Sequence, residues 1–132
     1  MGFPELEELR KRKRDQTARL MEVSDLTRQI DQALDRKDQV SVQMLLHMRE
    51  NPIRQMAEID EGIREYLVGL PEEDAIRYHA LLMGDEEGVG DEVPFCDPVD
   101  RYLDLLDQVV EADRRVSLRL GGNRSFYKTF RE

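Results

Sequence analysis

Few residues in this sequence could carry covalent or acid–base chemistry: two histidines, His47 and His79, and one thiol, Cys96. A nucleophile needs a base within hydrogen-bond reach, and a metal needs several ligands converging at defined spacing. Cys96 has no histidine near it in sequence. Its neighbours Phe95, Asp97 and Glu92 would raise a thiol pKa rather than lower it. His47 sits in a helical run and His79 beside Tyr78 on a short one, positions that suit packing or solvent. There is no CxxC, no HExxH and no paired Glu-x-x-His of the kind di-iron bundles carry. The expectation is therefore a non-enzymatic chain with no metal and no cofactor.

Two charged stretches extend the search. The segment Asp85-Glu86-Glu87-Gly88-Val89-Gly90-Asp91 invites calcium, but it lacks the alternating ligands and terminal bidentate glutamate of an EF-hand loop. Its glycines match neither a phosphate loop nor GxGxxG, and no strand precedes them. The run Arg10-Lys11-Arg12-Lys13-Arg14 is the strongest local basic signal. Helical geometry spreads five consecutive side chains around the whole cylinder, so a solvated region able to pair with the acidic segment is expected in preference to a dedicated patch.

Helices must position these residues. From Leu6 the apolar spacing alternates three and four through Leu6, Leu9, Lys13, Gln16, Leu20, Val23, Thr27, Ile30 and Leu34, a heptad seam that predicts a helix over about 4–36. Lys13, Gln16 and Thr27 dilute it, which favours antiparallel packing within the chain over a free-standing zipper. A second helix is predicted over 39–69, with a kink or short break where Asn51-Pro52 reads either as an interior proline or as an N-cap and N1 pair. A third, short helix runs over 71–83 and stops at Gly84. Residues 85–96 have no periodicity and read as a mobile acidic loop. Asp97-Pro98 then reads as the cap and first position of a last helix over 98–120, whose stripe is Val99, Tyr102, Leu106, Val109, Asp113, Val116 and Leu120. An aromatic tail over 123–132 carries Phe126, Tyr127 and Phe130. Three rings in so short a stretch bury themselves on the bundle, on a partner, or on a second copy.

The chain of 132 residues thus reads as one all-α domain, an antiparallel helical hairpin or bundle with long coiled-coil-like N-terminal helices. The net charge of -9 disfavours nucleic acid, and the single cysteine cannot form an internal disulfide. Glu72 to Asp100 holds ten acidic residues and one basic residue, Arg77, so all of that charge lies there. No apolar stretch approaches the roughly 20 residues of a bilayer span. The charged N-terminus has no apolar run behind it, so no secretory signal and no membrane insertion are expected, and a cytoplasmic location follows.

The chain resembles the FlgN-type flagellar export chaperones. The likeness lies in Gln32-Ala33-Leu34-Asp35-Arg36-Lys37-Asp38, in Leu45-Leu46-His47-Met48-Arg49 with Ile53 through Asp60, and in Leu103-Asp104-Leu105-Leu106-Asp107 through Glu111-Ala112-Asp113-Arg114-Arg115. It implies a cytoplasmic, non-enzymatic chaperone that holds the terminal helices of filament-junction proteins with its own C-terminal amphipathic helix. On that reading the partner-binding residues are Val109, Val116 and Leu120, with Phe126, Tyr127 and Phe130 of the tail, and the last helix exchanges its own bundle for a client's stripe. Pro52, the acidic loop and Gly121-Gly122 depart from the pattern. The alternative is a homodimeric coiled-coil scaffold with no secretion role, its stripes satisfied by a second copy.

Overall fold

The computed structural model describes residues 3–121. Among them are four α-helices and no strand: α1 (Phe3–Asp35), α2 (Gln39–Val68), α3 (Glu72–Met83) and α4 (Val93–Arg119). The expected all-α bundle is what forms. α1 and α2 make an antiparallel hairpin. At its turn Lys37 takes a left-handed φ of 57°, and the amides of Lys37 and Asp38 bond back to the carbonyls of Leu34 and Ala33, which closes the end of α1. Asp38 then caps α2, accepting from the Ser41 amide at 3.1 Å and the Ser41 hydroxyl at 2.6 Å. These hydrogen bonds hold its carboxyl below the usual range.

α4 returns along the other side of α1 and runs parallel to it. At one end Phe95 and Val99 join Leu6, Leu9, Ile63 and Leu67. Further along, Tyr102 and Val109 join Leu20, Val23 and Met56. At the far end Val116 meets Ile30, Ala33, Val42 and Leu45. The short α3 closes the first end, inserting Tyr78, Leu81 and Leu82. The chain can therefore place α4 parallel to α1 without a long crossover, because α2 has already carried it back to the start.

Between the three apolar clusters lie two polar layers made by the residues that dilute the α1 seam. Lys13, Gln16 and Thr27 are all buried. In the first layer Lys13 Nζ donates to Gln16 Oε1 at 2.9 Å and sits 3.8 Å from the centre of the Tyr102 ring. Gln16 Nε2 donates to the Met56 carbonyl at 3.2 Å and to Asp60 Oδ1 at 2.5 Å. In the second, Arg49 Nη1 donates to Thr27 Oγ1 at 3.0 Å and to Asp113 Oδ1 at 2.9 Å. Buried polar groups cost stability unless they are partnered, and these are. The heptad geometry is thus continuous, and the seam carries bundle-internal hydrogen bonds wherever it loses an apolar residue.

Three expectations need correction. α2 is not broken at Pro52, which lies inside a continuous helix with its ring buried. Proline there cannot donate to the Met48 carbonyl, an interior cost of about 3 kcal/mol. The shared face of Val42, Leu45, Met56, Ile63 and Leu67 offsets it, since each full burial contributes roughly 1.5–3 kcal/mol. The last helix starts at Val93 rather than at 98, so Pro94 occupies its first turn while Asp97 and Pro98 lie inside it. The reason is Phe95, expected in a loop and instead only 2% exposed in the first cluster.

The rest of the acidic stretch is organised, with a 3-10 turn at Gly90–Glu92. Arg77, its one cation, donates to Glu92 at 3.0 and 2.6 Å, to the Glu87 carbonyl at 3.1 Å, and to the Glu86 carboxylate. The bond from Arg77 holds the Glu92 carboxyl below its ordinary range. Gly88 fits against Cys96, where a Cβ would stand 2.5 Å from Sγ.

Candidate apolar cleft and basic groove

The residues that could do chemistry are not brought together. His47 is exposed on α2 beside Glu50, with Nδ1 3.5 Å from a carboxylate oxygen. His79 is on α3, at the other end of the bundle. Cys96 is half-buried, and burial pushes its thiol pKa up against a hydrogen bond from the Gly88 amide. No cluster of three or more His, Cys, Asp or Glu able to hold a metal occurs among the described residues. No described helix is long and apolar enough to cross a membrane.

The structure puts the residues expected to bind a partner inside the protein. Val109 and Val116 are each 1% exposed. Leu120 is half-buried against the third cluster. Asp113, the polar interruption of that stripe, is fully buried on Arg49. An aspartate introduced at position 116 would therefore unfold the bundle and report stability rather than binding. Phe126, Tyr127 and Phe130 lie outside the described residues.

The unpartnered apolar surface is elsewhere. A cleft of about 490 Å³ opens between α2 and α3, walled by Leu67, Val68, Ala75 and Ile76, with Arg64, Glu72 and His79 at its margin. Val68 is 85% exposed and Ile76 64%. α3 creates this cleft because Tyr78, Leu81 and Leu82 turn inward, which leaves Ile76 and Met83 facing out. The three-four spacing of Tyr78, Leu81 and Leu82 is the sequence signal for the face that α3 buries. A second exposed row, Val40, Met44 and Met48, climbs α2 at four-residue steps.

The basic run divides as helical geometry demands. Arg12 turns toward α2, donating to Glu8 at 3.0 Å and to the Gly62 carbonyl at 3.0 Å, with its guanidinium 5.0 Å from the Tyr66 ring centre. Lys13 is interior; burial lowers its ammonium pKa to about 8 while Asp60 opposes the shift. Arg10 and Arg14, one turn apart, line a groove of about 350 Å³ against the start of α4, whose wall adds Arg101.

No protein-family model, no curated protein and no solved structure matches the chain.

Proposed function

We propose that this protein is a non-enzymatic, cytoplasmic helical adaptor that holds an amphipathic helix of a partner protein, in the manner of the FlgN-type export chaperones it resembles. The carrying observation is the apolar cleft between α2 and α3, where Val68 and Ile76 stand exposed above Leu67 and Ala75. A groove between two helices accepts the apolar face of a third, and the Arg64 and Glu72 margin supplies charges of both signs to orient it. The α4 stripe is satisfied within its own bundle. Releasing it would require breaking the buried Arg49–Asp113 pair, so docking in the cleft is the less costly route.

The test is binding of a synthetic terminal helix from a flagellar filament-junction protein, measured by fluorescence anisotropy. Val68→Asp with Ile76→Asp, both at exposed sites, should leave the helical spectrum intact and weaken binding by about tenfold or more. Unchanged affinity in that variant would remove the cleft from consideration. Absence of binding by the parent protein would remove the export reading.

A second reading, a homodimeric scaffold, is favoured by the row Val40, Met44 and Met48, which one helix of another copy could cover. Sedimentation equilibrium decides it: a dimer that Met44→Glu converts to monomer supports the scaffold, and a monomeric parent protein rules it out.

A further inference from the structure

We infer that the groove between the first turns of α4 and the Arg10–Arg14 face of α1 is a second docking site, one that takes a short acidic segment of a partner protein. It is independent of the apolar cleft. Arg10 and Arg14 stand one helical turn apart on one wall, Arg101 stands on the other, and Ala18, Met21 and Pro98 supply apolar surface between them.

Charge accounting singles the groove out. Most of the described arginines are engaged by carboxylates, as Arg28 is by Asp25 and Arg119 by Asp31 and Asp35. Arg14 and Arg101 have no ion pair among the described residues, and Arg10 has only a 3.4 Å contact with Glu7. Arg10 Nε is in addition buried with no hydrogen-bond partner. A chain of net charge -9 with acidic residues to spare has thus left two arginines unpaired in one concavity, with a third weakly paired beside them. Guanidinium groups recognise carboxylates and phosphates through paired N–H donors.

The surroundings choose between those anions. Asp97 also lines the groove, and the exposed Asp100 and Asp104 follow on α4, so a long polyphosphate running out along that wall would meet repulsion. A volume of about 350 Å³ has room for a few side chains rather than a whole helix. The apolar lining favours carboxylates that flank an apolar residue, which is a property of an acidic peptide and not of a free anion.

The experiment uses the full chain and a short fluorescein-labelled peptide carrying two glutamates one helical turn apart around a leucine. A matched peptide with glutamine in place of glutamate is the control. Binding should weaken with added salt and fall by about tenfold or more in Arg14→Glu with Arg101→Glu. Amide resonances of Arg10, Ala18 and Arg101 should shift on titration, and Ile76→Asp should bind as the parent does. Equal binding of the glutamine peptide, no effect of the charge reversal, or no binding of the glutamate peptide each overturns the assignment. Tighter binding of a DNA duplex, or the same resonance shifts with inorganic phosphate alone, also overturns it, in favour of a phosphate ligand.

Discussion

Replacing Asp113 with alanine leaves the Arg49 guanidinium buried without the carboxylate that neutralises it. The pair is 2.9 Å apart, with side chains 5% and 0% exposed, and it joins α2 to α4 with Thr27 of α1 on the same guanidinium nitrogen. Removing one partner of such a pair costs about 3–5 kcal/mol. That is a large part of the roughly 5–15 kcal/mol by which most domains are stable. For a chain of this size each kcal/mol moves the melting temperature by about 3–5 °C, so a drop on the order of 10–20 °C is expected. In urea, with a slope near 2 kcal/mol/M, the midpoint should fall by about 2 M. Arg49→Met combined with Asp113→Leu removes both charges and fills the same space, and it should recover most of the loss. Circular dichroism at the helix band during urea titration measures Asp113→Ala and the four members of the cycle, namely the parent, Arg49→Met, Asp113→Leu and the double variant. A loss below about 1 kcal/mol for Asp113→Ala would refute the reasoning, as would a double variant as unstable as the sum of the singles.

Lys13 should make stability depend on pH. With its pKa about 8 in the bundle, the folded state binds fewer protons than the unfolded state between about pH 8 and the ordinary lysine value near 10.4. Stability therefore rises with pH across that window, by up to about 3 kcal/mol. Tyr102 acts oppositely above pH 10, because burial and Asp60 keep its phenol protonated in the fold. The urea midpoint of the parent, taken relative to that of Lys13→Met to isolate the lysine, should rise from pH 7.5 to 9.5; a constant difference refutes it. At the acidic loop, Gly88→Ala forces a Cβ against Cys96 Sγ and the Glu92 carbonyl, an overpacking cost of about 1–3 kcal/mol. Alkylation of Cys96 by iodoacetamide should then be faster than in the parent, and an unchanged rate would show that the loop absorbs the methyl.

The helical bundle was legible because periodicity reports which face a helix buries. Every position from Leu6 to Ile30 in the alternating seam is buried, and the α4 stripe from Val99 to Val116 is buried or half-buried. What spacing does not report is why a position is buried. Lys13, Gln16 and Thr27 read as flaws since their partners Tyr102, Asp60 and Arg49 lie on other helices, as many as 89 residues away in the case of Lys13 and Tyr102. Pro52 and Pro98 read as boundaries because local cost was weighed without the tertiary burial that overrides it. Phe95 was lost in the loop for want of a period, its anchor being α1. The candidate surfaces were less legible still. Ile76 looks like a core residue until α3 is rotated by its docked face, and Arg10 and Arg14 become a groove only when α4 brings Arg101 beside them.

The parallel course of α1 and α4 also fixes how the protein bears a load. Phe3 and Arg119 lie at opposite ends, since Arg119 reaches Asp31 and Asp35, roughly 40 Å from the start of α1 along the axis. Tension applied between those points slides α4 lengthwise past α1, so the apolar clusters and both polar layers resist together, in shear. Tension between Phe3 and Val68, which share one end, peels the α1–α2 hairpin open one layer at a time. The same contacts thus make a body that is mechanically strong along its axis and weak across one seam, an anisotropy that single-molecule pulling from two attachment geometries can read directly.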